Sequence, residues 1–307
     1  MENITPKAVI GTNSWGGKLY ETILRGNSVS DETLIESMGA AKKKGLLVFD
    51  LAQDYGLGKA QKMIGKFGTQ DIILSSKFTP MKKYRQGQVR KSLERDLKEF
   101  KRDFVDIYWL HLPSDIEENI REMIALYHEG KIHHIGVSNF SLEECRLAKN
   151  LLEEANIPLY GVQNHYSLLT RVWEEKGLLN WCRENHIQFW AWAVLEEGIL
   201  AKPKSKSAMS LTFGGKIKKL KPLYEQMASV GERYHMTIAQ VAISYCASKG
   251  IVPICGCRKP YQVEALAEAV NTQLSDEDLL LLEEKADKLK VQILGADMFR
   301  FMVRKKK

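Results

Sequence analysis

No window of this chain approaches the roughly 20 consecutive apolar residues of a membrane-spanning helix, and the opening residues, MENITPK, hold no apolar signal core. A cytoplasmic protein with no membrane partner is expected. Cysteine is scarce and unpatterned: Cys145, Cys182, Cys246, Cys255 and Cys257 are odd in number and contain no CxxC spacing, so neither a disulfide framework nor a zinc site is indicated. No resident metal is expected. No Ser/Gly-rich linker or break in composition divides the 307 residues, which read as one domain, 1–307. Lys and Arg number 45 against 38 Asp and Glu, a net charge of +7. Part of that excess sits in the terminal RKKK and in a Lys-rich stretch at 196–221, without interleaved aromatics, so a nucleic-acid partner is not expected.

What is present is a repeated strand-then-helix unit. Apolar runs begin near Ala8, Leu46, Ile72, Val105, His134, Leu159, Gln188 and Ile251. They lack clean alternation, as strands buried on both faces do. Helical spacing follows most of them, at about 30–44, 86–100, 116–129, 142–155, 173–185, 223–234, 238–249 and 261–269. Eight strands followed by helices predict a (β/α)8 TIM barrel of the α/β class. A further C-terminal helix is predicted over 276–289, capped by Ser275 with acidic residues in its first turn, and a tail follows to 307. The stretch 196–221, with Pro203, Gly214 and Gly215, is a candidate loop covering the mouth.

A parallel barrel keeps its chemistry at the carboxyl ends of its strands. Those ends carry Asp50 with Tyr55, then Lys77, His111, Ser138 with Asn139, Gln163 and Trp192. A phenol titrates near 10, too high for proton transfer at neutral pH, but an adjacent ammonium favours phenolate. Lys77 can supply that charge, Asp50 can hold Lys77, and His111 can donate to the same substrate oxygen. A carbonyl between Tyr55 and His111 would be polarised toward hydride attack. Gly56-Leu57-Gly58 superficially matches a dinucleotide fingerprint, but the third glycine position holds Gln61. His133 and His134, as strand neighbours, point to opposite faces and cannot share one ion.

The segments FDLAQDYGLGKAQKMIG, ILSSKF, DIYWLHLP and IGVSNF, in this order, resemble the aldo-keto reductase superfamily over nearly the whole chain. The resemblance places that family's Asp, Tyr, Lys, His tetrad on Asp50, Tyr55, Lys77 and His111. It implies reduction of an aldehyde or ketone with NADP(H), or the reverse, with Tyr55 as general acid-base. It also implies that Ser138, Asn139 and Gln163 contact the nicotinamide carboxamide and that Trp192 stacks on the ring. Arg258, in ICGCRKPYQVEAL, matches an arginine near the adenosine 2′-phosphate; its guanidinium suits phosphate and no acid sits in that short loop, which favours NADP over NAD.

The chain departs from the family pattern, which has threonine where this chain has Leu51, glutamate at Gln61, Ser-Pro at Ala193-Val194 and asparagine at Leu266, and the N-terminal hairpin that closes the barrel bottom is missing or reduced. Pocket walls are expected from aromatic residues including Trp15, Phe78 and Trp109, favouring a hydrophobic or ring-bearing carbonyl compound. Two rival functions compete: a regulatory subunit that binds the nicotinamide cofactor without significant turnover, and a metal-dependent barrel hydrolase built on Asp50 and His111. The second would need further histidines and carboxylates at the strand ends. Ser138, Asn139, Gln163 and Trp192 are neutral instead.

Overall fold

The computed structural model describes residues 4–15, 28–80, 83–201 and 213–294. Eight strands close into a barrel in sequence order: β1 (Val9–Gly11), β2 (Val48–Asp50), β3 (Ile73–Phe78), β4 (Val105–Leu110), β5 (Ile132–Ser138), β6 (Leu159–His165), β7 (Gln188–Trp192) and β8 (Val252–Gly256). Neighbours are parallel throughout, and β8 pairs back onto β1. The (β/α)8 architecture read from the apolar runs is the one observed.

Several of the outer helices start where side chains satisfy orphan N–H groups. Ser30 caps α1 (Asp31–Lys43) by accepting from the Thr33 amide, with Asp31 and Glu32 in the first turn and Lys42 and Lys43 in the last. The next three are α2 (Lys59–Phe67), α3 (Gln88–Phe100) and α4 (Ile116–His128). Ser141 and Glu144 form a reciprocal capping box on α5 (Leu142–Glu153). The single helix expected at 173–185 is two, α6 (Val172–Glu175) and α7 (Leu178–Glu184), because Gly177 takes φ 74 between them and ends the first. After β7 come α8 (Gly214–Lys219), α9 (Lys221–Tyr234) and α10 (Ile238–Ser248), and α11 (Pro260–Ala269) follows β8. The appended α12 (Asp276–Leu289) begins at Ser275, whose hydroxyl accepts the Asp278 amide. Among the described residues, no helix is long and apolar enough to cross a membrane.

One apolar compartment fills the space between barrel and helices. A second fills the barrel itself, from Val9, Val48, Ile107, Trp109, Tyr160, Trp190 and Ile254. Trp109 is its centre, with ring centroids 4.9 Å from Trp190 and 5.9 Å from Tyr160. Gly136 makes room for it: a Cβ there would lie 2.3 Å from the indole. Below this layer the Ile4 carbonyl accepts from Tyr160 Oη at 2.9 Å and Gln188 Nε2 at 2.6 Å. Among the described residues no hairpin precedes β1, and the segment at Ile4 packs against the base of the barrel in its place.

The histidine pair behaves as adjacent strand residues must, with His133 stacked on Phe104 and His134 against Tyr160. All five cysteines are buried and unpaired.

Candidate active site

β2 ends on Asp50, and the chain turns through Leu51–Asp54 into a 3-10 turn, Tyr55–Gly58. Gly56 at φ 57 and Gly58 at φ 80 let the backbone make that turn and enter α2. The glycines therefore shape the turn that presents Tyr55. The turn is pinned from outside by Gln53, whose Nε2 donates to the Ser92 carbonyl and to Asp96 Oδ1, each at 3.0 Å.

Lys77, on β3, has no exposed side-chain surface, and Asp50 has 2%. A lysine ammonium has three N–H donors, and each is used. It donates to Asp50 Oδ2 at 2.5 Å, to the Leu51 carbonyl at 3.0 Å and to Tyr55 Oη at 3.0 Å. Asp50 is held in turn by Ser75 Oγ at 3.1 Å and Gln163 Nε2 at 3.0 Å on Oδ1, and by Tyr55 Oη at 3.3 Å on Oδ2. Burial and the Asp50 carboxylate hold the Tyr55 phenol well above its ordinary value. Burial draws Lys77 down from its own, against the pull of Asp50. This reverses the expectation that Lys77 lowers the tyrosine. The ammonium faces Asp50 at shorter range than the phenol, so Asp50 offsets its charge at Tyr55, and burial penalises phenolate further.

His111 follows β4, with its backbone N–H donating to the Phe78 carbonyl at 2.9 Å. Its Nδ1 lies 2.7 Å from Thr79 Oγ1. Burial and the Lys77 charge push the imidazole down to about 4, so it is neutral through the physiological range.

The remaining strand ends are tied to each other. Ser138 Oγ donates to the Gln163 carbonyl at 2.8 Å, and Asn139 Nδ2 donates to the His111 carbonyl at 2.9 Å. Trp192 Nε1 donates to Asn139 Oδ1 at 3.2 Å. Thus Asp50, Tyr55, Lys77, His111, Ser138, Asn139, Gln163 and Trp192 form one connected constellation. Its amides, hydroxyl and flat indole suit a neutral carboxamide attached to an aromatic ring. Among the described residues no group of three or more His, Cys, Asp or Glu is gathered in metal-ligating fashion.

The aromatic residues expected as pocket walls are buried. Trp109 lies inside the barrel, beneath His111, with its Nε1 on Ser75 Oγ at 2.8 Å. Trp15 is 1% exposed, packed edge-on to Phe49, and its Nε1 donates to the Cys257 carbonyl at 3.2 Å. Phe78 is also buried. Arg258 follows Cys257 in the loop before α11, where Gln262 Oε1 accepts the N–H groups of Arg258 and Lys259 at 2.9 and 3.1 Å. That helix end is capped by its own side chain. Leu266, in place of an asparagine, is 1% exposed and belongs to the core. The covering loop falls partly on residues 202–212, outside the described residues.

Sequence reasoning passed over Ser75, Thr79, Gln53, Asp96, His165 and Glu196. Ser75 and His165 carried a usable signal, because each stands two residues from a named residue on the same strand and so shares its inward face.

A family model described as "Aldo/keto reductase family" matches residues 7–287. The chain belongs to this family. Aldo-keto reductase YhdN of Bacillus subtilis is 30% identical over 300 residues, 88% of this chain and 85% of that protein. The NADH-specific methylglyoxal reductase of Escherichia coli is 25% identical over 319 residues, 92% and 93% of the two chains. An aldo-keto reductase from Klebsiella pneumoniae, solved in complex with NADPH, superposes with a TM-score of 0.73 at 23% identity, covering 92% of this chain and 95% of that one. Family membership makes a nicotinamide-linked oxidoreductase acting on small carbonyl or alcohol compounds the frame for the site described above.

Proposed function

We propose that this chain reduces an aldehyde or ketone with NADP(H), or runs the reverse oxidation, with Tyr55 as the acid-base group. The observation that carries the reading is the Lys77 ammonium 3.0 Å from the Tyr55 oxygen with Asp50 2.5 Å behind it. The bound nicotinamide supplies or accepts the hydride. Tyr55, held protonated, gives its proton to the carbonyl oxygen as negative charge grows there. The Lys77 N–H on the phenol oxygen stabilises the phenolate that remains, and Asp50 keeps the ammonium in place.

His111 acts as a neutral donor. With Nδ1 engaged by Thr79, Nε2 is the nitrogen that carries the proton for the substrate oxygen, so the Thr79 hydroxyl donates to the ring. Ser138, Asn139 and Gln163 hold the carboxamide and Trp192 supports the ring face. Arg258 binds the adenosine phosphate through its side chain, because the backbone N–H groups beside it already serve Gln262. NADP is therefore preferred over NAD. The chain works as one barrel domain in the cytoplasm.

The test is consumption of NADPH or NADH with a panel of aldehydes, quinones and ketones, including a nitrobenzaldehyde. The parent protein should turn over with NADPH in preference to NADH, and Tyr55→Phe should lose about 10²–10⁴-fold in kcat while still binding NADPH. Binding without turnover by the parent would instead support the regulatory reading. Activity abolished by a chelator and untouched by Lys77→Met would support the hydrolase.

A further inference from the structure

A buried carboxylate stands behind the proposed nicotinamide platform. His165, the last residue of β6, is two beyond Gln163 on the same inward face, and its side chain is fully buried. Its ring lies flat against the Trp192 indole, with centroids 4.6 Å apart and planes at 21°. Its Nε2 is 3.0 Å from Glu196 Oε1, and Glu196 is also fully buried.

Taking a carboxylate out of water costs several kcal/mol unless donors replace the lost hydration. Here they come from three parts of the chain. Thr170 Oγ1 at 3.0 Å and Ser167 Oγ join His165 on Oε1, and the Leu294 backbone N–H donates to Oε2 at 3.2 Å. The backbone accommodates this arrangement at unusual dihedrals. Ala193, Glu196 and Glu197 all have positive φ, at 56, 46 and 56, within five residues of Trp192. Non-glycine residues pay for that conformation, and surrounding contacts must hold them in it.

The two carboxylate oxygens thus divide the work. Oε1 serves the end of β6 and the loop after it, where the His165 ring stacks on Trp192, itself fixed edgewise by Asn139. Oε2 serves the segment after α12. We propose that Glu196 and His165 are positioning residues that set the plane of Trp192 and couple it to the seating of the chain at Leu294. Cofactor binding against Trp192 therefore tightens the Leu294 hydrogen bond, and by reciprocity a seated Leu294 tightens cofactor binding. This rests on the reading of Trp192 as the nicotinamide platform.

Two variants separate the arms. Glu196→Gln can keep its amide oxygen toward His165, Ser167 and Thr170, but turns an NH2 toward the Leu294 N–H, donor against donor. His165→Phe keeps a ring against Trp192 and loses the link to Glu196. In the parent, saturating NADPH should slow amide exchange at Leu294, read by mass spectrometry on peptides covering 285–294. In Glu196→Gln that amide should exchange fast with or without NADPH. In His165→Phe it should stay slow and indifferent to NADPH, with the NADPH Kd raised about tenfold, or 1.4 kcal/mol, and kcat changed less than Kd. NADPH that binds the parent without altering Leu294 exchange, or variants that bind NADPH as the parent does, would overturn the coupling alone. A parent that does not bind NADPH would overturn the coupling and the functional reading together.

Discussion

Removing the Lys77 ammonium tests the site as a physical object, independently of any substrate. The ion pair at 2.5 Å has both side chains out of solvent. At an effective dielectric near 20 its gross attraction is about 7 kcal/mol. Desolvation of two ions opposes a sum of that size, so the intact pair contributes little net stability. Breaking it is different. Lys77→Met leaves Asp50 charged and buried with only the donors of Ser75, Gln163 and Tyr55. A lost buried partner costs about 3–5 kcal/mol, and three surviving donors place this site near 3. With a urea dependence of about 3 kcal/mol/M, the unfolding midpoint should fall by about 1 M. Adding Asp50→Asn should return most of that loss, because the orphaned charge goes with it. Turnover should fall about 10²–10⁴-fold in Lys77→Met and stay low in the double variant, since the tyrosine has lost its N–H donor in both. A Lys77→Met midpoint within about 0.3 M of the parent, or a double variant no more stable than the single, would refute the reasoning.

Thr79→Val removes the hydroxyl on His111 Nδ1; kcat/KM should drop about tenfold and Thr79→Ser should restore it, with 15N shifts of the imidazole reporting loss of the fixed tautomer. Asp96 is pushed up to about 6 by burial, against hydrogen bonds from Ser76, Gln53 and Gln61. Between pH 4 and 6 the folded state then binds more protons than the unfolded chain, so this residue's contribution to stability falls as pH rises through that window. Denaturant titrations should show Asp96→Asn gaining about 2 kcal/mol relative to the parent from pH 4 to pH 7, and a constant difference would reject the account. Gly136→Ala drives a methyl into the Trp109 indole; it should cost at least about 1–3 kcal/mol by overpacking in a thermal or urea melt, and Trp109→Phe in the same chain should recover part of it.

The barrel was legible because eight apolar runs of similar length recur with helical spacing between them, a pattern that local physics produces in few other folds. The four side chains of the proposed acid-base set were legible for a related reason: Asp50, Lys77 and His111 stand at the carboxyl ends of strands, and Tyr55 lies in the turn that follows β2. The depth at which an aromatic residue near a strand end sits was less legible. Trp109 is two residues before His111, so strand alternation puts it on the same inward face but one layer lower, where it meets Trp190 and Tyr160. Residues contributed by a turn or by a helix face, such as Thr79, Asp96 and Glu196, carry no such periodic signal. Their partners are 20 or more residues away in sequence: His111 for Thr79, Ser76 for Asp96, His165 for Glu196.

The two departures beside the turn that carries Tyr55 have different physical meanings. Residue 51 acts on the site through its carbonyl, which accepts from Lys77 at 3.0 Å, while its side chain is buried in the core. Any residue with a peptide carbonyl can fill that role, so Leu51 in place of threonine repacks the interior and leaves the ammonium's partners intact. Residue 61 is a different case. Gln61 Nε2 reaches toward Ser76 Oγ at 3.5 Å and also hydrogen-bonds Asp96, lowering the cost of that buried carboxylate. Glutamate at 61 would set a second buried carboxylate against Asp96, and like charges at such range cannot both stay ionised cheaply. Asp96 anchors Gln53, and Gln53 anchors the turn that carries Tyr55. The amide at 61 is therefore the residue type that lets a charged Asp96 hold the turn, and this departure is a consequence of how the chain fixes Tyr55 rather than a loosening of the site.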